Sequence, residues 1–119
     1  MAAPGARHIN LMFRAFSDPT RLRILHLIQE RELCVGDIVS VLRLPQPTVS
    51  RHLAYLRRAA LVKGRKDGLW VNYSLAVPES SFHHRLVGCL GTCFGDVPEI
   101  ARDAARAEKV RRSGGCCPR

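Results

Sequence analysis

Two short runs of apolar residues at helical spacing, separated by Leu44-Pro45-Gln46-Pro47, constrain the fold of this chain more than any other feature. Val35, Ile38, Val39 and Leu42 recur at steps of three and four, and Val49, Leu53, Leu56 and Ala60 do so after the break. That spacing lines one face of each segment with apolar side chains, while the prolines end the first helix and open the second. The second helix leaves Thr48, Ser50, Arg51, His52, Tyr55 and Arg58 off its buried line. A short apolar helix, a tight turn and a polar-faced helix read as a helix-turn-helix.

The flanking segments extend this plan. Residues 9–16 carry Ile9, Leu11, Met12, Phe13 and Phe16 and fit a short helix. In Ser17-Asp18-Pro19-Thr20, Asp18 is placed to accept from first-turn amides, and Pro19 takes the first helical position, where a missing N–H costs nothing. Leu22, Ile24, Leu25, Leu27 and Ile28 continue that helix to about residue 31. Downstream, residues 61–66 and 69–75 flank the turn signal Lys66-Asp67-Gly68, and Leu69, Val71, Tyr73 and Leu75 alternate with Trp70, Asn72 and Ser74, which predicts a β-hairpin. Beyond Pro78, Phe82, Leu86, Val87, Leu90 and Phe94 predict a helix bearing Cys89 and Cys93 on one face. A charged helix over residues 100–112 precedes Ser113-Gly114-Gly115 and Cys116-Cys117. The expected fold is mainly α with a small β-hairpin, an α+β winged helix-turn-helix. Residues 1–8 are expected to form a flexible arm, 9–112 the winged helix-turn-helix domain, and 113–119 a flexible cysteine-containing tail.

Charge locates the functional face. The 119 residues allow one domain and exclude a large multidomain enzyme. The net charge is +9, yet residues 38–66 contain no acid while holding Arg43, Arg51, Arg57, Arg58, Lys63, Arg65 and Lys66. This stretch coincides with the polar-faced helix and the first strand of the wing, the arrangement a duplex reader needs. Gln46, Thr48, Ser50 and Arg51 are the candidates for base edges, since glutamine suits adenine and arginine suits guanine or phosphate. His52 is a candidate for phosphate or for capping the turn. Arg57, Arg65 and Lys66 are candidates for the DNA backbone, the last two near the wing tip. Neither a span of apolar residues long enough for a bilayer nor a signal peptide is present, so the expected location is cytoplasmic, with no membrane partner.

Ser17-Asp18-Pro19-Thr20-Arg21-Leu22-Arg23-Ile24-Leu25, Glu32-Leu33-Cys34-Val35, Leu44-Pro45-Gln46-Pro47-Thr48-Val49-Ser50-Arg51-His52-Leu53, Leu61-Val62 and Gly68-Leu69-Trp70-Val71-Asn72-Tyr73 closely resemble the ArsR/SmtB family of metal-responsive repressors over roughly residues 10–77. The resemblance implies a homodimer joined through its first and penultimate helices, bound to a palindromic double-stranded operator and released when a metal or metalloid binds. It does not identify the inducer, because members of the family sense at different positions.

The thiols carry that question. The arsenic branch senses through Cys-Val-Cys-Asp before the recognition helix; here the segment is Cys34-Val35-Gly36-Asp37, and Val39 stands where a third thiol often lies. Cys34 therefore reads as a small buried side chain. Another branch binds zinc on the interface helix, but His83 and His84 are adjacent and point to different sides, and so read as surface or interface residues. Cys89, Cys93, Cys116 and Cys117 remain as metal ligands. Three thiolates suit trivalent arsenic or antimony, As(III) or Sb(III), with Cys116 and Cys117 central and Cys93 or Cys89 the third. If the charged helix folds back on the cysteine helix, the tail starts near it, and Arg111 and Arg112 favour the thiolate. An odd cysteine count without an export signal implies reduced thiols. The alternatives are another thiophilic ion, or a repressor of the same fold that senses oxidants or persulfide through a thiol pair. No constitutive cofactor is expected. An enzyme is not expected either: there is no Cys-x-x-Cys, and no cysteine is followed six residues later by arginine.

Overall fold

The computed structural model describes residues 5–115, so the expectations for residues 1–4 and for Cys116 and Cys117 lie outside the described residues. In chain order the elements are α1 (Ala6–Phe16), α2 (Pro19–Ile28), β1 (Leu33–Cys34), α3 (Val35–Leu42), α4 (Gln46–Arg58), β2 (Val62–Asp67), β3 (Trp70–Leu75), α5 (Ser81–Gly88), a 3₁₀ turn (Cys89–Gly91) and α6 (Pro98–Arg112). The helix-turn-helix is α3 and α4, and β2 with β3 is the wing. Helix α1 begins at Ala6, inside the segment expected to be an arm.

Asp18 caps α2 as its chemistry suggested: its Oδ2 accepts the Arg21 N–H at 2.9 Å, and Pro19 opens the helix. The helix stops at Ile28 rather than near residue 31, because the chain must become extended for Leu33 and Cys34 to pair antiparallel with Tyr73 and Asn72. This third strand makes the sheet order β1-β3-β2. Two residues are too few to display an alternation, so periodicity gave no sign of it.

In α4, Val49, Leu53 and Leu56 face inward, but the fourth buried position is Ala59 rather than Ala60. The helix ends at Arg58, Ala60 turns left-handed with φ 60°, and the Leu61 N–H returns to the Leu56 carbonyl at 3.1 Å. The wing turn lies one residue later than expected. Asp67 pairs with Trp70, leaving Gly68 and Leu69 as a two-residue loop in which Gly68 takes φ +63° without a Cβ penalty. Leu69 is thus fully exposed at the tip rather than part of β3.

One apolar cluster joins these pieces. Ile24, Leu25 and Ile28 of α2 pack with Ile38 and Val41 of α3, Leu53 and Leu56 of α4, Met12 of α1 and Leu90 of the 3₁₀ turn. Helix α5 is shorter than the sequence suggested, so Cys89 and Cys93 do not share one unbroken α-helix. The Cys93 N–H still reaches the Cys89 carbonyl at 2.9 Å, keeping the two residues one helical turn apart. Helix α6 packs chiefly on α2 and α3 rather than back on α5. Buried Ile100 and an ion pair from Asp103 to Arg23 anchor it there. Among the described residues, no helix is long and apolar enough to cross a membrane.

Candidate nucleic-acid interface and thiol clusters

Helix α4 owes its orientation to the apolar row just described, which turns the opposite face to solvent. Gln46, Ser50, Arg51 and Arg57 are exposed there, and Ala54 lies between them with no bulk to hold a partner away. Thr48 is half-buried. Below this face, the Arg21 guanidinium stacks on the Tyr55 ring at 4.0 Å, and Arg58 stands 5.5 Å from the same ring. Tyr55 therefore braces α4 against α2 and packs on the core, though the sequence placed it only off the buried line. His52 turns toward the start of α2, its Nδ1 3.9 Å from Asp18 Oδ2.

The wing cations divide. Lys66 is exposed, while Arg65 lies opposite Asn72 and is tied to Glu32 through Nη2–Oε1 at 2.6 Å and Nε–Oε2 at 3.2 Å. The Arg65 guanidinium holds the Glu32 carboxyl below its usual range. Arg65 thus fastens the first wing strand to the segment before β1, with its guanidinium engaged by Glu32 at the surface. Nothing in the spacing of residues 33 apart announces this pair; it follows from the unforeseen β1–β3 pairing.

His83 departs from its expected place. It is fully buried, its Nδ1 accepts the Glu79 N–H at 3.2 Å, and its Nε2 has no hydrogen-bond partner among the described residues. His84 is exposed. Burial is the main cause lowering the His83 pKa, offset by Glu79 and reinforced by His8. The unfolded chain then takes up a proton more readily than the folded one, so stability is full above about pH 6.5 and falls as pH drops below it, by no more than about 1.4 kcal/mol per pH unit for one group. Urea unfolding at pH 7.5 and 5.5 is expected to follow this direction, and His83→Phe to flatten it in part, since burial also lowers His26. An unaltered slope in His83→Phe would remove His83 from that role.

Among the described cysteines, Cys89 and Cys93 are free. A hydrogen bond to Cys93, with lesser contributions from burial and charge, pushes the Cys89 thiol above its usual range. Its sulfur also lies 3.6 Å from the Arg85 carbonyl, and Cys93 is exposed beside the Thr92 hydroxyl at 3.5 Å. Cys34 is buried as expected, at the N-cap of α3, where its Sγ accepts the Asp37 N–H at 3.4 Å. It is disulfide-bonded, against the expectation of reduced thiols throughout.

A groove of about 120 Å³ lies between the end of α2, the start of α3 and the last turns of α6, with Leu33 and Asp37 on one wall and Val110 and Arg111 on the other. None of Cys34, Cys89 and Cys93 lines it, although Cys34 lies in sequence between the lining residues Leu33 and Asp37. The chain leaves α6 beside this groove, where the Gly115 N–H bonds the Val110 carbonyl at 2.9 Å. Arg111 and Arg112 are not free cations beside a thiol: Glu108 accepts from Arg111, and Arg112 Nε lies 3.4 Å from the same carboxylate. Among the described residues, no group of three or more His, Cys, Asp or Glu side chains is placed to hold a metal ion.

Residues 18–63 match the family model described as "Bacterial regulatory protein, arsR family". The chain is 38% identical over 108 residues to the arsenical resistance operon repressor of Escherichia coli, covering 89% of this chain and 92% of the relative. It is 35% identical to the cadmium resistance transcriptional regulatory protein CadC homolog of Staphylococcus aureus, over 76% of this chain and 82% of that protein. Among solved structures, HlyU from Vibrio cholerae superposes with a TM-score of 0.63 at 34% identity, covering 71% of this chain and 89% of that one.

Proposed function

We propose, from the premise that this chain belongs to the ArsR family of bacterial regulatory proteins, that it is an operator-binding homodimer released when a trivalent metalloid binds its cysteine thiolates. It is a DNA-binding transcriptional repressor of that family and not an enzyme. The observation that carries the proposal is the meeting of α6's end with the start of α3. The described chain ends at Gly115, which bonds Val110 beside the groove that Leu33 and Asp37 flank, and this supports a ligand set in which Cys116 and Cys117 join Cys34. Cys89 and Cys93 supply two neighbouring sulfurs elsewhere, with Cys89 biased toward the protonated form, and ligation requires the thiolate. We assign the third sulfur to Cys34, which must first be reduced to act as a thiolate, with Cys89 and Cys93 as the competing source.

In the DNA-bound state, Gln46, Thr48, Ser50 and Arg51 meet base edges in the major groove, while Arg57 and Lys66 meet phosphates. Arg65 contributes through the wing, and His52 orients the helix start from its place beside Asp18. The homodimer reading draws support from α1 and α5, where Phe13 stacks edge-on against Phe82 at 5.3 Å and remains 55% exposed for a second subunit to cover. Arsenite or antimonite joins three soft sulfurs only when the tail and α3 are gathered, and so biases the dimer against the DNA-bound spacing. By linkage, DNA weakens inducer binding by the same factor.

The disulfide at Cys34 favours a second reading, in which two thiols give two electrons and two protons to an oxidant of the hydroperoxide or persulfide class and close an S–S bond. One titration separates the two readings. Fluorescence anisotropy of a labelled duplex from the gene's own promoter is followed in reductant, first with protein and then with arsenite, with zinc as control. Release by arsenite at low stoichiometric excess, and not by zinc, is the expected result. Binding that neither ion disturbs, but that peroxide reverses and dithiol restores, would replace the metalloid with the oxidant.

A further inference from the structure

The acid-free stretch accounts for the recognition helix and the wing, but a second concentration of positive charge sits on a different element. An open groove of about 550 Å³ runs between α6 and the α2–α3 pair, and its charged lining is Arg23, Arg43, Glu99, Arg102, Arg106 and Lys109. Arg102, Arg106 and Lys109 stand four and then three residues apart, so they form one stripe along α6. Arg23 is neutralised by the buried Asp103 beneath the groove, at 2.7 Å, and Arg106 lies 3.8 Å from the same carboxylate. Arg43, Arg102 and Lys109 are exposed and have no ion-pair partner among the described residues. Five cations thus face two carboxylates, one of them buried.

We propose that this groove is a second DNA-backbone site, in which Arg43, Arg102 and Lys109 bind phosphates beside those met by α4 and the wing. The inference rests on the operator-binding reading and extends its surface. Three observations favour a duplex over a small anion or an acidic protein. Arg43 is the left-handed residue that ends α3, and only Leu44 and Pro45 separate it from Gln46, so the groove is continuous with the start of the recognition helix. The three unpaired side chains are exposed point charges along an open trough, which suits a repeating phosphate rather than one enclosed ligand. Arg102 and Lys109 belong to α6, outside the acid-free stretch that holds Arg43, and outside that stretch the chain carries 12 basic against 10 acidic residues. Only the fold separates that mixture, turning Asp103 inward and the cations outward.

The test is the salt dependence of operator binding, measured by anisotropy on the full chain for wild type, Arg102→Gln with Lys109→Gln, and Glu99→Gln. Each phosphate contact adds about 0.9 to the slope of log K against log salt, so the double variant is expected to lose about 1.8 per subunit and at least about tenfold in affinity near 0.15 M salt. Its preference for operator over scrambled duplex should be unchanged, because phosphate contacts carry no sequence information. Glu99→Gln is expected to bind more tightly, a gain that structural damage would not produce. A double variant with wild-type slope, together with a Glu99→Gln affinity no higher than wild type, would overturn the site. Wild-type operator binding in the same titration is the separate check on the underlying reading, since its loss would sink both.

Discussion

Serine at both Cys116 and Cys117 should raise the arsenite concentration needed for operator release more than tenfold while leaving affinity for the operator unchanged. The expectation follows from ligand number: with two of three thiolates gone, one sulfur remains, and a soft trivalent ion held by one sulfur exchanges with any cellular thiol. Serine keeps the size and removes the soft donor, and the tail is remote in sequence from the exposed face of α4, so DNA binding is the internal control. The companion variants locate the third sulfur. Cys34→Ser is expected to lose release to a similar extent, because Cys34 stands at the α3 N-cap between the groove residues Leu33 and Asp37. Cys89→Ser combined with Cys93→Ser is expected to release like wild type. If instead that pair fails to release and Cys34→Ser behaves normally, the third ligand belongs to the 3₁₀ turn. If the tail variant releases at the wild-type concentration, the tail is not the sensor.

Local chemistry made the DNA-reading half legible in the sequence. Helix α2 starts at Asp18-Pro19 because one short side chain and one ring fulfil the needs of a first turn, and α4 faces inward along Val49, Leu53 and Leu56 because those positions repeat at helical spacing. The proposed sensing half depends on where α6 packs, and periodicity within α6 does not specify the partner of its apolar side. Its placement on α2 and α3 is decided by Ile100 and by the reach of Asp103 to a residue 80 positions earlier. The same long-range choice sets the end of α6 beside the groove flanked by Leu33 and Asp37 rather than beside Cys89 and Cys93. Arg111 and Arg112, which looked like thiolate stabilisers, are engaged by Glu108 three and four residues earlier, a local pairing that helix spacing alone provides. Glu32 with Arg65 is a similar case, visible only once β1 is known to pair with β3.

The pair that fixes α6 is also where a single substitution should cost the most stability. Arg23 donates to Asp103 through Nε at 2.7 Å and Nη2 at 2.9 Å, a two-point contact, and its Nη2 reaches the Leu42 carbonyl at 3.4 Å. The Asp103 side chain is 3% exposed, so removing the guanidinium leaves a carboxylate out of water with only Arg106, 3.8 Å away, to compensate. Breaking a buried pair from one side costs about 3 to 5 kcal/mol, and Arg106 together with the partial exposure of Arg23 places Arg23→Ala near 3 kcal/mol. Asp103→Asn is expected to cost less, because the amide keeps the shape and a hydrogen-bond acceptor while removing the buried charge. Urea unfolding of the two variants should therefore order them as wild type, Asp103→Asn, Arg23→Ala, and equal midpoints for all three would show that the contact does not anchor the helix. The consequence for sensing is specific. Under the proposed ligand set, a loosened α6 no longer holds its end beside the groove flanked by Leu33 and Asp37, so Arg23→Ala should blunt arsenite release at temperatures well below its unfolding midpoint, although Arg23 itself has no sulfur to offer.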